Sequence, residues 1–156
     1  MAAGVGVVVG PEVWRVRDRS PVVFRLTALT LPPPLPVRGG SLEELREQLN
    51  VTDETWPLLV GWLVAAMLPD LDRPIALLTG EQGTGKSTAA RLLVGLLDPS
   101  NAPLRSMPRD EETWAVSAAA SYVVGIDNIW TIPRWFSDAL CRVVSVDGIV
   151  RRTPDT

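Results

Sequence analysis

The 156-residue sequence predicts an α/β domain with a mostly parallel sheet, preceded by a small β-rich segment. Three observations predict it. Ile75 to Thr79 is a continuous apolar run of buried-strand type, and it leads directly into a glycine-rich loop and an amphipathic helix. A second apolar run, Tyr122 to Ile126, ends in Asp127. Between and around these runs strand, loop, helix, strand, helix and strand alternate, the order in which parallel strands are joined through helices.

Taken in order, Val5 to Val9, Trp14 to Val16 and Val22 to Leu26 read as short strands punctuated by Gly10, Pro11 and Pro21. They make residues 1–31 a β-rich piece. Pro32, Pro33, Pro34 and Pro36, then Gly39 and Gly40, give a stiff linker over 32–40. Residues 41–156 form the main domain, with a helical lead-in over 41–69 and a core over 75–156. Ser41 and Glu44 stand in capping-box spacing, and Leu42, Leu45 and Leu49 recur at helical intervals. A second helix is expected from near Asp53 to Leu68. Pro57 is tolerable in its first turn, where amides lack helical partners, and Pro69 ends it. Its apolar run, Trp56 to Leu68, predicts a buried helix.

Lys86 to about Leu97 is the helix after the loop, closed by Asp98-Pro99. A short strand is expected near Leu104 to Met107. A helix follows from Asp110 to Ala120, with Asp110, Glu111 and Glu112 at its positive end. Pro133 opens a last helix to roughly Val144. Ile149 to Arg152 reads as one more strand.

Composition narrows the chemistry. The chain is 46% hydrophobic and 21% charged, as a globular domain is, and its net charge of −3 gives no whole-protein attraction to nucleic acid. It has no histidine, which excludes Ser-His-Asp and Cys-His catalysis and most zinc sites. The single cysteine, Cys141, permits neither an internal disulfide nor a CxxC metal site and reads as a small apolar helix residue. No targeting segment is evident, and the Trp56–Leu68 run is too short to span a bilayer. A cytoplasmic protein without a membrane partner is expected.

Fourteen arginines stand against one lysine, and that lysine is Lys86. It completes Gly80-Glu81-Gln82-Gly83-Thr84-Gly85-Lys86-Ser87, a full G-x-x-x-x-G-K-[ST] phosphate-binding loop. A chance match in a chain of this composition is expected roughly once in a thousand. The residue types follow from the chemistry. Glycines let successive N–H groups approach phosphate oxygens that a Cβ would obstruct. The helix starting at Lys86 adds its free amides and dipole. Lys86 places a charge on the β- and γ-phosphates, and Ser87 offers a hydroxyl to Mg²⁺. ATP, or a related nucleoside triphosphate, with Mg²⁺ is therefore the expected ligand of Gly80 to Thr88. The fold class becomes that of a P-loop NTPase, a three-layer domain.

A Mg²⁺-nucleotide site also needs a carboxylate, and Asp127 ends a strand at the carboxyl edge of the sheet, where ligands of α/β sheets bind. Ser87 and Asp127 are thus the expected metal ligands, and Lys86, Asp127 and Asn128 the expected catalytic residues. Asn128 stands where many P-loop ATPases carry a glutamate. An amide orients a water but does not accept its proton, so slow hydrolysis is expected. Glu81 is a weak alternative base.

The chain resembles the P-loop ATPase domains of phage and mobile-element replication proteins, of the AAA+-like, superfamily 3 helicase type. The resemblance rests on Gly80 to Thr88, on Val123-Val124-Gly125-Ile126-Asp127-Asn128, and on Leu140-Cys141-Arg142 through Asp147-Gly148-Ile149-Val150-Arg151-Arg152. It covers roughly Ser41 to Thr153. It implies ring-forming homo-oligomers, ATP hydrolysis at subunit interfaces, movement along a DNA strand, and an arginine finger drawn from Arg134, Arg142, Arg151 or Arg152. It also implies a DNA-touching hairpin near Asp147 to Arg152. The family's sheet flanks the P-loop strand with two later strands, for which no apolar run follows before Thr156. The strand Ile75 to Thr79 would then lack both neighbours, and a member truncated at its C-terminus is expected.

Three readings follow: a helicase-type ATPase, a nucleotide-binding module with little or no turnover, and a small P-loop kinase. Phosphate release with and without single-stranded DNA separates the first two, and transfer of the γ-phosphate to a small acceptor marks the third. Of the six tryptophans, Trp56 and Trp62 are expected in the core. Trp114 falls on a helix, Trp130 and Trp135 flank Ile132-Pro133, and Trp130 is the one placed near Asp127 to stack on a base. Arg105 and Arg109 lie in a proline-rich loop and face either nucleotide or solvent.

Overall fold

The structure is a computed structural model that describes residues 6–10, 12–18, 25–68, 71–72 and 74–144. Two strands come first, β1 (Gly6–Val9) and β2 (Trp14–Arg17). They form an antiparallel hairpin in which Val9 faces Trp14 and Gly6 faces Arg17. The expected strand at Val22 to Leu26 lies mostly outside the described residues, and its last two residues are irregular. The proline-rich linker is irregular and exposed, and Arg38 sets its guanidinium over the Trp14 ring at 4.9 Å.

Residues 27–31, at the end of the β-rich piece, bond to the main domain. Leu31 N–H donates to Pro99 O at 2.9 Å, Asn101 N–H donates to Leu29 O at 3.0 Å, and the Thr27 hydroxyl donates to Ala120 O.

Helix α1 (Leu42–Glu47) starts where Ser41 Oγ accepts the Glu43 N–H, one residue short of the capping-box bond its spacing predicts. Helix α2 (Trp56–Met67) begins three residues after Asp53, because Thr52 first closes a turn by accepting the Thr55 and Trp56 amides. Its apolar run is not wholly buried. Leu59 and Leu63 face the core, while Leu58, Val64 and Met67 are exposed, since α2 packs against α3 on one side only. Helix α3 (Lys86–Leu97) contributes Leu93 to the cluster with Leu49, Leu59 and Leu63. Each leucine so buried stabilises the fold by about 2 kcal/mol.

The rest of the chain builds a second unit of the core. Strand β3 (Leu104–Arg105), helix α4 (Glu111–Ala120), strand β4 (Gly125–Ile126) and helix α5 (Arg134–Val144) follow in order. Asp110 caps α4 by accepting the Thr113 N–H at 2.8 Å. Fully buried Phe136 of α5 meets Trp114 of α4 edge-on at 5.2 Å, with Ala139 beside them and Met107, Val124 and Ile126 packed around. β3 and β4 run parallel, Leu104 opposite Gly125 and Arg105 opposite Ile126.

The parallel sheet is therefore short among the described residues: two strands of two residues each. Two expected strands behave differently from the sequence reading. In Tyr122 to Ile126 only the last two residues pair. The amides of Tyr122 and Val123 donate instead to Asp98 Oδ2, at 2.7 and 3.1 Å, and the Tyr122 hydroxyl donates to Ala66 O. Ile75 to Thr79 is not a buried strand. No ladder joins it to another strand among the described residues, and Ile75 and Leu77 are exposed. An apolar run becomes a strand only where a neighbour takes its amides and carbonyls. Leu78 alone packs on the core, and the Trp62 indole N–H holds the segment by donating to Pro74 O. The expected strand at Ile149 to Arg152 lies outside the described residues.

Candidate functional site

The loop from Gly80 to Gly85 joins this extended segment to α3 and takes its shape from three left-handed glycines. Gly80, Gly83 and Gly85 have φ of 148°, 84° and 83°, values that side-chain-bearing residues rarely adopt. At Gly80 a Cβ would also press within 3.1 Å of Thr84 Oγ1. The Thr84 hydroxyl donates to Glu81 O at 2.9 Å and closes the loop's turn.

Gly85 is the N-cap of α3, with no side chain capping the helix. The first helical bond here is Ala89 N–H to Gly85 O, at 2.8 Å, which leaves the Lys86, Ser87 and Thr88 amides at the mouth of the loop. Lys86 folds its ammonium back to the carbonyls of Gly80, at 2.9 Å, and Glu81. An ammonium has three N–H groups, so one remains for a further acceptor. Glu81, Gln82 and Thr88 are exposed, and Ser87 is half-buried.

Asp127 leaves the end of β4 as the sequence predicts. Its N–H donates to Arg105 O at 2.9 Å, which extends the parallel pairing by one bond. Its Oδ1 accepts the Asn128 N–H, and Asn128 turns into the left-handed region at φ 58°. Asparagine tolerates this conformation better than most residues. Asp127 and Asn128 share an open depression of about 420 Å³ with Arg91, Leu104, Arg105, Ser106 and Met107.

The loop and the acidic strand end are thus held on one frame, since α3 packs against both β3 and β4. The depression reaches α3 at Arg91, one turn beyond Ser87, while Lys86 and Ser87 do not line it. Arg91 went unremarked in the sequence; its spacing of four residues from Ser87 is the signal that places both on one helix face. Arg105 turns toward α4, donating to Ser117 O at 2.9 Å and to the Ser121 hydroxyl.

Among the residues the resemblance offers as arginine fingers, Arg142 pairs with Glu111 at 3.2 Å, Arg134 is exposed, and Arg151 and Arg152 lie outside the described residues. Trp56 and Trp62 pack, half-buried, against the leucine cluster. Trp130, three residues past Asp127, is 94% exposed. Cys141 lies on the exposed side of α5. No group of three or more His, Cys, Asp and Glu residues is arranged to hold a metal among the described residues, and no helix there is long and apolar enough to cross a membrane.

Comparison with curated proteins and with solved structures finds no match. A family model does match: that of the actinomycete integrative conjugative element replication protein, over residues 43–155. These residues take in all but the first residue of α1, the glycine-rich loop, α3, the acidic strand end and α5, and the chain belongs to this family of mobile-element replication proteins.

Proposed function

We propose that this replication protein binds ATP with Mg²⁺ on residues Gly80 to Thr88 and serves as the helicase-type ATPase of its element, in the cytoplasm. The observation that carries the reading is the loop itself: three left-handed glycines, free amides at the start of α3, and a lysine ammonium held at the loop's mouth. Such a concave set of N–H groups fits a phosphate chain. The domain is then a three-layer P-loop NTPase whose parallel sheet contains β3 and β4.

In this reading the amides of Gly83 to Thr88 bind phosphate oxygens, and Lys86 neutralises charge on the β- and γ-phosphates through its remaining N–H. The Ser87 hydroxyl and the Asp127 carboxylate are the residues that would hold Mg²⁺, a hard cation that takes oxygen ligands. The metal supplies charge stabilisation to the transferring phosphoryl group when bound. Asn128 orients water but takes no proton from it, so the chain's own residues favour binding over fast turnover. That same residue supports a second reading, a nucleotide-binding module with little hydrolysis. DNA, and further copies supplying an arginine in trans, are the partners this role calls for.

Calorimetric titration with MgATP, alongside Lys86→Ala, tests the reading. Saturable binding that the variant loses is the expected result; equal binding by both proteins sinks it. Phosphate release with and without single-stranded DNA then decides between ATPase and binding module.

A further inference from the structure

The chain's charge is unevenly placed. Residues 1–40 hold five arginines, Arg15, Arg17, Arg19, Arg25 and Arg38, against two acids, Glu12 and Asp18, a net charge of +3. The whole chain carries −3, which leaves −6 for the rest of it. The hairpin β1–β2 presents part of this positive charge on one face. Side chains alternate along a strand and paired residues share a face, so Arg15 and Arg17 stand together with their ladder partners Val8 and Gly6. Both arginines are exposed and make no hydrogen bond or ion pair among the described residues. They lie about 6.7 Å apart along the strand, on the scale of the step between successive phosphates of a nucleic-acid backbone. Glu12 sits in the turn and Asp18 beyond the strand end, so neither acid joins the ladder.

The opposite face is apolar. Val7, Val9 and Val16 are exposed there, and Trp14 is half-buried with the Arg38 guanidinium over its ring. This division selects the partner. A pair of guanidiniums left in water is the complement of a polyanion. A lipid surface takes up apolar and basic side chains from one side, and here the valines and the arginines point apart. A single strand is gripped by bases stacking on open aromatic rings, but Trp14, the ribbon's one aromatic, already carries Arg38. Duplex DNA needs no stacking platform, and its major groove admits a two-stranded β-ribbon.

We propose that the β1–β2 ribbon docks in the major groove of duplex DNA, with Arg15 and Arg17 on phosphates of one bordering strand. The site is separate from the loop at Gly80 to Thr88 and lies outside residues 43–155, which match the replication-protein family. Its ligand is the duplex, not the single strand that a translocating ATPase moves. Contacts to phosphate position DNA without reading its bases, so the ribbon holds duplex of any sequence. The bonds from residues 27–31 to Pro99, Asn101 and Ala120 fix the chain that follows the ribbon to the main domain. The inference does not rest on nucleotide binding, and neither does its test.

Fluorescence anisotropy of a short labelled duplex, titrated with the full chain at low salt and without nucleotide, reads the contact. The wild-type chain should bind with an affinity that falls as salt rises. The double variant Arg15→Gln/Arg17→Gln should weaken binding about tenfold or more and lower the salt slope of log K by about 2. Both side chains are exposed, and circular dichroism confirms that the variant remains folded. Arg15→Lys/Arg17→Lys keeps the charges and should retain most of the affinity. Arg109→Gln removes the same charge from the main domain and should cost far less than Arg15→Gln. A single strand of the same sequence should bind more weakly than the duplex. The proposal is overturned by a wild-type chain that binds no duplex at low salt, or by equal binding of the double Gln variant. A single strand preferred over the duplex, or an equal loss in Arg109→Gln, overturns it too. So does uptake by anionic phospholipid vesicles, lost with the same two arginines, where duplex is not bound; that result assigns the ribbon to a membrane.

Discussion

Gly125 approaches Pro103 so closely that a Cβ added to it would stand 2.5 Å from the proline carbonyl oxygen. The same Cβ would lie 2.6 Å from Leu104 Cδ2 and 3.2 Å from Val94 Cγ2. β4 is thus pressed between β3 and α3, and this is what holds Asp127 at its place beside them. Gly125→Ala should lose about 2 kcal/mol or more of stability, because neither the Pro103 backbone nor the packed strand can yield cheaply. Urea unfolding measures it. A variant as stable as the parent would mean that β4 is not held as described.

Asp98 substitutes for a strand partner. Its carboxylate accepts the amides of Tyr122 and Val123 while its own N–H closes α3 on Val94 O. Asp98→Ala should cost about 2 kcal/mol, the worth of charge-assisted bonds to amides left without acceptors. Asp98→Asn retains an acceptor oxygen and should cost less. Thermal unfolding of the two variants, side by side, checks the order.

Asn128 offers two independent readouts. Its φ of 58° predicts that Asn128→Gly is nearly neutral for stability, whereas Asn128→Val costs about 1–2 kcal/mol. Its chemistry predicts that Asn128→Glu, which adds a proton acceptor beside Asp127, speeds phosphate release if the nucleotide reading holds. Release rates unchanged by Asn128→Glu would remove this residue from the hydrolytic step.

The cap of α4 gives a pH signature. The Asp110 carboxyl is held below its ordinary range by the bond from the Thr113 backbone N–H, then by the Thr113 side chain, with Arg109 adding to it. A carboxyl whose folded pKa lies below its unfolded value contributes fully above the unfolded value, about 3.9, and loses that contribution as pH falls through the folded one. Acid unfolding below about pH 4 should therefore be shallower in Asp110→Asn, which keeps the cap without the titrating group. Identical acid profiles would show that the cap carries no linkage.

Much was legible in the residues because it is local. Ser41, Asp110 and Pro133 mark helix starts by backbone chemistry that needs no distant partner, and the helices they introduce begin within a residue of each mark. Lys86 to Leu97 was readable end to end, and so was the glycine-rich loop before it, although the positive φ of Gly80, Gly83 and Gly85 belongs to the fold. The family too was in the linear pattern, through residues 43–155.

What the sequence did not determine was which apolar runs acquire partners. Ile75 to Thr79 and Tyr122 to Ile126 look alike as strings, since an apolar run records only a preference for burial. A strand exists only when another segment supplies its ladder bonds, and that depends on chain segments far away. Here Asp98 takes two of the Tyr122–Ile126 amides, β3 takes the rest of the pairing, and Ile75 to Thr79 finds no ladder among the described residues. Tertiary packing likewise exposed one side of α2 and left Trp130 in solvent, because burial is settled by what lies opposite a side chain rather than by its own polarity.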